Sequence, residues 1–549
     1  MFSFLIVSLH LVTVITCLNL EVKLPLGSVN GHLSETWNGK QYIGFEGIPY
    51  ATPPVGELRF EEPRVVERWD SVLEANRTYT CLQYDYSTNK VIGTEDCLYL
   101  NIYTWDINPK QLKNVIIHIH GGAFMYNNPA KYGPNIILDK DIVYVSFNYR
   151  LGILGFLSTE DEVLPGNLGL KDQTLALRWI KDHIEYFGGN PNSITLTGLS
   201  AGGASAQLHS LSPLSQGLFH RGISQSGSVL NPWVLSERSL EKSQQLGVYL
   251  NCPITSTKKL VACLKKKPAQ NIIVSTKIFQ PWLHNPFTPF GVVVDQWSPN
   301  PFLPKHLHVL LKSNKVQDLP WIFSNVDCEG LYPAADFIAN LEYLKAIDKN
   351  WNKLIPHILD FNNTVSLRDQ KNVVEKIRRF YFGNKPLLKN TFAILVQMMS
   401  DRLFTSGIEY AARLHSAAIK SPVYYYYFKY RGVHSKSEAR SKSAANYGVA
   451  HGDDAIYILS TDINTQLTDS DKKMSFLLVD IWTTFANLTQ SNINWLPVSK
   501  DINEDLNYLL IQSPTEVETM SAEFLGNRNF WSSLPLKENE KNVLVKDEL

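Results

Sequence analysis

The chain has no excess of charge of either sign. Lysine and arginine together number 52, aspartate and glutamate together also number 52, and the formal net charge of the 549 residues is zero at pH 7. Proteins that bind nucleic acid or an anionic membrane through electrostatics need a basic surface, and this composition gives no argument for such a partner. Hydrophobic residues make up 44% of the chain, which is ample for a large core. The composition therefore indicates a large globular protein without a nucleic-acid partner.

Cysteine is scarce, with only six residues in the chain. None of them belongs to a Cys-x-x-Cys motif, and no group of His, Cys, Asp and Glu has the spacing of a metal site. We therefore expect no metal and no cofactor.

Long uncharged apolar stretches are also rare. Residues 1–20 form one, because the first charged side chain is that of Glu21. Such a stretch is typical of a secretory signal peptide, which we predict at residues 1–17 with cleavage near Cys17. An uncleaved signal anchor is the alternative, since this length could just span a bilayer. No membrane span is expected once the signal is removed.

The chain ends in Lys-Asp-Glu-Leu, at residues 546–549. This tetrapeptide is the signal for retrieval to the endoplasmic reticulum. Together with the signal peptide it predicts a protein of the reticulum lumen that binds the retrieval receptor, with secretion as the alternative. Entry into the lumen would make three Asn-x-Ser/Thr sequons usable for glycosylation, at Asn76, Asn362 and Asn487.

A serine lies at a predicted strand-to-helix turn. The β-prone segment 193–197 leads into Gly-Leu-Ser-Ala-Gly at residues 198–202, and small residues follow. A serine hydroxyl is a weak nucleophile unless it is held on a sharp turn within reach of a base, and the flanking glycines provide the clearance. The pattern predicts a nucleophile elbow with Ser200 as the nucleophile.

A glycine pair follows another predicted strand. Residues 120–124 read His-Gly-Gly-Ala-Phe and come directly after the apolar segment 115–119. The backbone N–H groups of Gly121 and Gly122, together with that of Ala201, could point at the carbonyl oxygen that becomes negative during acyl transfer. We predict that these three residues form an oxyanion hole. A plain glycine-rich turn is the alternative.

Two further positions complete a catalytic triad in the chain order serine, acid, histidine. Glu329 follows an apolar strand-like segment and precedes a glycine, with Asp327 as a local alternative. His451 lies in a glycine-punctuated loop, and His434, in a loop rich in serine and lysine, is the alternative base. A neutral histidine accepts the serine proton at one ring nitrogen while the acid fixes the tautomer from the other. We therefore predict Ser200, Glu329 and His451 as the catalytic residues.

The periodicity of apolar residues predicts the fold class. Strand-like segments occur at 115–119, 142–147, 193–197, 222–225, 321–324 and 423–428. Residues 171–187 have helical spacing. Alternating strands and helices predict an α/β fold with a large, mainly parallel central sheet flanked by helices, with the active-site loops at the carboxyl ends of the strands. Because the three triad residues must converge, we expect residues 18–545 to form a single domain.

Several longer motifs resemble those of a known family. They include Glu-Asp-Cys-Leu-Tyr-Leu-Asn at 95–101 and further segments at 47–51, 53–54, 58–60, 148–152, 172–173, 187–191 and 225–228. With the elbow and the glycine pair, they resemble the type B carboxylesterases of the α/β-hydrolase superfamily, which include the cholinesterases. Segments at 357–361, 380–383 and 495–498 resemble secreted insect carboxylesterases such as those of aphids.

The resemblance implies an α/β-hydrolase fold and hydrolysis of carboxylic esters through a covalent acyl-serine, without a cofactor. It implies two disulfides, Cys81 with Cys97 and Cys252 with Cys263. Cys328 is then left over, and on an extended segment its side chain is expected to point away from the neighbouring Glu329.

The resemblance also assigns three supporting residues. Ser226 would steady the acid from behind, and Phe287 and Phe290 would line the acyl pocket of the substrate site. Core packing is an equally good interpretation of the two phenylalanines.

Departures from relatives narrow the expected substrate. Leu199 stands where cholinesterases place a glutamate and juvenile hormone esterases commonly place a glutamine, and the loop from Cys81 to Cys97 contains no tryptophan. A choline group would therefore lack both its acidic and its cation–π partner. We expect a broad-specificity esterase for apolar, uncharged esters. The alternatives are a specialised juvenile hormone esterase, a lipase, or a non-catalytic binding or chaperone-like protein on an esterase scaffold.

Overall fold

The structure is a computed structural model that describes residues 20–313, 315–463, 467–487, 493–541 and 543. The predicted signal peptide at residues 1–17 and the predicted retrieval signal at residues 546–549 lie outside the described residues.

Sixteen strands occur in the described residues. Their bounds are β1 Glu21–Leu24, β2 Gly27–Asn30, β3 His32–Glu35, β4 Gln41–Pro49, β5 Leu73–Glu74, β6 Gln83–Asp85, β7 Lys90–Ile92, β8 Tyr99–Thr104, β9 Lys113–Ile119, β10 Val143–Phe147, β11 Gly189–Leu199, β12 Arg221–Gln225, β13 Trp321–Val326, β14 Val423–Phe428, β15 Leu506–Ile511 and β16 Val517–Ala522.

Eleven of these strands form one sheet, in the order β16-β15-β14-β13-β12-β11-β9-β10-β8-β4-β3. From β10 across to β15 the neighbouring strands are parallel. The strands β8, β4 and β3 at one edge, and β16 at the other, pair antiparallel. The three-stranded β1-β2-β5 sheet and the two-stranded β6-β7 sheet are separate from it, since their strands do not pair with those of the large sheet. The predicted α/β fold with a mainly parallel central sheet is confirmed.

The helices follow or separate the strands. Their bounds are α1 Gly152–Phe156, α2 Leu168–His183, α3 Ala201–Leu211, α4 Ser239–Tyr249, α5 Thr257–Lys265, α6 Ala269–Val274, α7 Leu307–Leu311, α8 Leu331–Ile338, α9 Leu341–Lys349, α10 Trp351–Ile358, α11 Leu367–Tyr381, α12 Phe392–Ser400, α13 Ser406–Ala418, α14 Ser437–Ser441, α15 Asp469–Asn487 and α16 Arg528–Ser533, and a π-helical turn, Asp401–Thr405, joins α12 to α13. None of the helices in the described residues combines the length and the apolar character needed to cross a membrane.

The central strands are buried on both faces of the sheet. Alternate residues of one strand join different cores, because successive side chains of a strand point to opposite faces. On β13, Phe323 packs in the core that includes residues of α2, α3 and α13, whereas Ile322 packs in the core that includes residues of α15. Such burial on both faces suits the apolar strands β9 and β10, and the polar residues of the central strands, such as Thr195 and Thr197 of β11, are buried as well.

The predicted elements agree with the structure. The six strand-like segments lie in β9, β10, β11, β12, β13 and β14. The predicted helix at 171–187 forms α2 and the 3₁₀ turn Ile184–Phe187 that follows it. Both predicted disulfides are also present, joining Cys81 to Cys97 and Cys252 to Cys263.

The three sequons differ in accessibility. Asn76 is exposed on a loop. Asn362 is half-buried, and its side-chain oxygen is enclosed without a hydrogen-bond partner among the described residues. Asn487, the last residue of α15, accepts a hydrogen bond from the side chain of Asn114, while residues 488 and 489 of its sequon lie outside the described residues.

A buried ion pair anchors α2 to the segment after β10. Nε and Nη2 of Arg150 donate to the two carboxylate oxygens of Asp172 at 2.8 and 2.7 Å, and the backbone N–H of Arg150 donates to the same carboxylate at 3.0 Å. The two side chains are only 5% and 0% exposed. Removing one charge would leave the other buried without a partner, which is far more costly than losing an exposed pair.

We therefore expect Asp172→Asn to lower the free energy of unfolding by about 3 kcal/mol. The matched control is Glu342→Gln, which breaks an ion pair with Lys345 whose side chains are 71% and 66% exposed, and which should change it by less than about 0.5 kcal/mol. Urea denaturation followed by tryptophan fluorescence measures both values. Equal effects of the two substitutions would contradict the structural role of the buried pair.

Candidate active site

Ser200 lies on the turn between β11 and α3. β11 ends at Leu199, α3 begins at Ala201, and Ser200 between them has φ 61° and ψ −123°. This conformation is rare for a residue with a side chain and marks a strained turn. The backbone N–H of Ser200 donates to the carbonyl of Gln225 at 2.8 Å, which ties the turn to the neighbouring strand β12. The segment therefore forms the sharp strand-to-helix turn that the sequence predicts.

Three backbone segments approach Ser200 too closely to carry side chains. A Cβ atom on Gly121 would lie 2.6 Å from the carbonyl oxygen of Leu199, and one on Gly227 would lie 2.0 Å from the carbonyl oxygen of Ser200. A Cβ atom on Gly202 would lie 2.0 Å from the carbonyl oxygen of Ile119. Glycine is therefore required where the loop after β9 and the residues after β12 meet the elbow.

The residues predicted to form the oxyanion hole meet beside the serine. Within the described part of the chain, no acceptor bonds the backbone N–H groups of Gly121, Gly122 or Ala201. Ala201 is the first residue of α3, so its N–H group also carries the partial positive charge of a helix N-terminus. Free N–H groups in this position can donate to an oxyanion.

His451 and Glu329 form a close pair. Nδ1 of His451 lies 2.6 Å from Oε2 of Glu329, whose other oxygen accepts the backbone N–H of Val326 at 2.9 Å. Glu329 is fully buried and His451 is 9% exposed. A carboxylate in this position holds the proton on Nδ1 and leaves Nε2 free to act as an acceptor.

Backbone contacts join the loops that carry this pair. Cys328, just before the acid, forms an isolated β-bridge with Ala450, just before the histidine. The N–H of Cys328 donates to the carbonyl of Val449 at 2.9 Å, and the N–H of Ala450 donates to Asp453 at 2.8 Å. One main-chain hydrogen bond therefore joins the two loops, and the carboxylate of Asp453 braces the histidine loop.

A buried aspartate links the histidine loop to the sheet, and the sequence alone did not identify it. Oδ2 of Asp454 accepts from the side-chain amide of Gln225 at 3.0 Å and from the hydroxyl of Tyr426 at 2.9 Å. Burial raises the pKa of Asp454. The available signal was its place in the Gly-Asp-Asp sequence directly after the histidine.

The two alternative residues lie outside the pair. Oδ1 of Asp327 accepts from the hydroxyl of Tyr427 at 3.0 Å and lies 3.3 Å from the ammonium of Lys429. His434 lies 3.4 Å from Glu438 on its own loop. Glu329, rather than Asp327, therefore contacts the candidate base.

Ser200 and His451 line one cavity of about 430 Å³. A hydrogen bond between their side chains is not formed, and such contacts often tighten only when a substrate binds. The rings of Tyr332 and Phe404 lie beside the imidazole, with centroids 5.4 and 4.6 Å from that of His451. The sequence did not point to either ring, although Tyr332 lies three residues after the acid.

A model of the carboxylesterase family matches residues 19–530. The chain belongs to the carboxylesterase family. Its α/β-hydrolase fold places the serine, the acid and the histidine at the carboxyl ends of parallel strands or in the loops that follow them.

Named relatives agree with this assignment. The chain is 41% identical over 532 residues to Venom carboxylesterase-6 of Apis mellifera, covering 95% of each chain. It is 39% identical over 530 residues to Esterase E4 of Myzus persicae, covering 93% of this chain and 94% of that one. The crystal structure of juvenile hormone esterase from Manduca sexta, with OTFP covalently attached, superposes with a TM-score of 0.81 at 24% identity, covering 94% of this chain and 99% of that one. The predicted likeness to insect carboxylesterases is confirmed, and the protein is a carboxylic ester hydrolase.

The phenylalanines predicted for the acyl pocket lie in different places in this carboxylesterase. Phe287 contacts Trp233 and Tyr332, with ring centroids 6.0 and 5.4 Å away, and lines a second cavity next to that of the serine. Phe290 packs against Phe279 at 4.9 Å and is 2% exposed. Phe290 lines neither cavity, whereas the cavity lined by Phe287 adjoins that of Ser200 and shares residues such as Tyr332 and Arg440 with it. Core packing accounts for Phe290.

Ser226 does not make the predicted contact with the acid. Its hydroxyl is buried and forms no hydrogen bond within the described residues. Its backbone N–H donates to the carbonyl of Ser324 at 2.9 Å. The backbone N–H of Val326, rather than the hydroxyl of Ser226, donates to the second oxygen of Glu329.

Cys328 is the free cysteine of the described residues and is half-buried. Its thiol lies 3.5 Å from Oδ2 of Asp327 and not beside Glu329. Burial raises the pKa of this thiol to about 12, so it is protonated and unreactive at neutral pH. Among the described residues, no group of three or more His, Cys, Asp and Glu could hold a metal ion.

We expect Gly121→Ala to reduce kcat/KM for a neutral ester by about 10²-fold, because the new Cβ would displace the loop that carries an oxyanion donor. The control is Gly39→Ala, whose Cβ would meet no atom within 4 Å but whose φ of +76° strains an alanine, so that it reports the effect of backbone strain in the turn between β3 and β4. Steady-state kinetics measure the ratio, and circular dichroism verifies that both variants fold. Wild-type activity of Gly121→Ala would show that the close approach has no catalytic role.

Proposed function

We propose that this carboxylesterase acts through a covalent acyl-enzyme on Ser200, with His451 as general base and acid and Glu329 as the group that orients it. The observation that carries the proposal is the 2.6 Å contact between Glu329 and His451, made at the cavity that also holds the strained serine. The match of the family model along most of residues 18–545 supports a single catalytic domain.

In this mechanism His451 takes the proton of the Ser200 hydroxyl as the serine oxygen bonds to the ester carbonyl carbon. The oxyanion of the tetrahedral intermediate accepts hydrogen bonds from the N–H groups of Gly121, Gly122 and Ala201. His451 then gives its proton to the alcohol oxygen as the carbon–oxygen bond breaks, which leaves an acyl-serine. A water molecule repeats the two steps, releases the carboxylic acid and restores the serine.

Buried aromatic rings support an apolar acyl group in the substrate. Phe287 lines the cavity that adjoins that of Ser200, and behind it lie the buried rings of Trp233 and Phe404. An aromatic environment next to the reacting groups favours apolar acyl chains. It separates neighbouring chain lengths only modestly, because one methylene changes kcat/KM by about 10- to 200-fold. We propose broad specificity on the acyl side.

Replacing the nucleophile tests the mechanism. We expect Ser200→Ala to lower kcat for p-nitrophenyl butyrate by about 10⁴-fold or more, and to abolish covalent labelling by a fluorophosphonate probe. Ser437→Ala is the matched control, because Ser437 lines the same cavity but bonds to Ser435 at 2.8 Å. Equal and negligible turnover in the wild-type protein and Ser200→Ala, without labelling, would favour a non-catalytic binding protein on an esterase scaffold.

We also propose that the enzyme resides in the lumen of the endoplasmic reticulum and that the retrieval receptor binds residues 546–549. The sequence of these residues and the predicted signal at residues 1–17 support this location. Asn76, whose side chain is exposed and forms no side-chain hydrogen bond within the described residues, is the proposed glycosylation site, whereas the exposed Asn487 accepts a hydrogen bond from Asn114.

Deleting residues 546–549 should move most of the enzyme from the cell to the medium, because the receptor could no longer return it. Immunoblots of cells and medium, with and without glycosidase treatment, compare the truncated and full-length chains and reveal any glycan. Full-length enzyme found mainly in the medium would favour the secreted alternative.

A further inference from the structure

The cavity beside the serine is lined by more cations than anions. Apart from the catalytic histidine, the charged side chains that line it in the described residues are Lys131, Lys436, Arg440 and Asp462. Lys131 lies 3.0 Å from Asp462, and both side chains are exposed. These two charges largely cancel at the mouth of the cavity.

Arg440 is compensated as well. Nη1 lies 2.8 Å from Asp336, Nη2 donates to the hydroxyl of Tyr126 at 3.3 Å, and the guanidinium lies over the ring of Tyr332 at 4.6 Å. Asp336 also contacts His284 at 2.9 Å. The guanidinium is therefore fixed in position and neutralised by its own carboxylate.

Lys436 is the remaining cation. No carboxylate of the described residues lies within ion-pair distance of its ammonium, although Asp462 and Asp454 are near enough to interact with it electrostatically. The group lies 5.1 Å from the ring centre of Tyr132. A Cβ atom placed on Gly452 would be 3.2 Å from Nζ of Lys436 and 3.1 Å from Cδ2 of Leu199. The ammonium is thus next to the residue that follows the catalytic histidine and near the residue that precedes the nucleophile.

The reaction determines which part of the substrate this charge meets. His451 must deliver a proton to the leaving alcohol, so the alcohol lies on the histidine side of Ser200. Lys436 lines the cavity, and its ammonium lies beside Gly452, the residue after His451, and therefore on that side. The positive charge therefore faces the alcohol part of the ester rather than the acyl part.

We propose that Lys436 is a specificity-determining residue that binds an anionic group on the alcohol part of the ester substrate. The inference rests on the proposed acyl-serine mechanism and extends it to the substrate class. An unpaired ammonium in a partly enclosed cavity attracts an anion more strongly than it would in bulk water. The same charge repels a quaternary ammonium, which agrees with the absence of the acidic residue that cholinesterases place before the serine.

The test uses matched esters that differ in one charge. The probes are 3- and 4-acetoxybenzoate and their methyl esters, which place a carboxylate or a neutral group on the leaving phenol. For each isomer, kcat/KM of the anion is divided by that of the neutral ester. Dividing the value of this ratio in Lys436→Met by its value in the wild type cancels the difference in leaving-group chemistry between the two esters. We expect the ratio to fall about tenfold in Lys436→Met for at least one isomer, and to fall less than about twofold in Lys436→Arg.

Lys442→Met is the control for net charge, because this exposed lysine lies at the other end of α14 from Lys436 and does not line the cavity. The ratio of kcat/KM for the anionic ester to that for the neutral ester should be the same in Lys442→Met as in the wild type.

A second pair of esters, 4-nitrophenyl hemisuccinate and 4-nitrophenyl butyrate, places the charge on the acyl part. The ratio of kcat/KM for these two esters should not depend on Lys436. The inference would be overturned if the acetoxybenzoate ratio were unchanged in Lys436→Met, or if the ratio for the acyl-charged pair fell by the same factor. In either case, serine-dependent hydrolysis of the neutral esters would still support the mechanism. Loss of serine-dependent turnover for every ester would overturn the proposed mechanism, and this inference with it.

Discussion

The close approach of backbone segments around Ser200 is the constraint on which the rest of the site depends. The elbow, the loop after β9 and the residues after β12 come so near one another that Cβ atoms on Gly121, Gly202 or Gly227 would overlap main-chain oxygens. This packing leaves the N–H groups of Gly121, Gly122 and Ala201 without an acceptor among the described residues and holds the serine in its strained conformation. Because the donors belong to the main chain of a packed sheet, they need little reorganisation when charge develops on the substrate.

The candidate acid illustrates how the fold stabilises a buried charge. Glu329 has no exposed surface, and its two oxygens are occupied by the N–H of Val326 and the imidazole of His451. A buried carboxylate is tolerated only when such partners are present. The bridge between Cys328 and Ala450 brings the two loops together independently of the side chains, so the contact is built into the main chain.

The environment of the reacting groups differs between the two parts of the substrate. Aromatic rings lie against the imidazole and continue to Trp233, and they favour apolar groups. The wall that carries Lys436 presents a charge without a carboxylate partner among the described residues. The expectation of an apolar, uncharged substrate therefore suits the acyl part, whereas the alcohol part meets a cation. The substrate preference of the enzyme combines these two environments.

The sequence by itself determined the central strands, the elbow, the glycine pair and the candidate triad, because each of these depends on local periodicity or on a short motif at the end of a strand. The resemblance to a family added both disulfide pairings. Only the tertiary structure decided that Glu329 rather than Asp327 contacts His451, since two residues so close in sequence differ mainly in the direction of their side chains. It also showed that the Ser226 hydroxyl does not bond to the acid, that Phe290 packs outside the serine cavity, and that Lys436 has no carboxylate partner within the described chain. These properties depend on which residues from distant parts of the chain meet in space, and that is set by the order of the strands and the paths of the loops rather than by any local pattern.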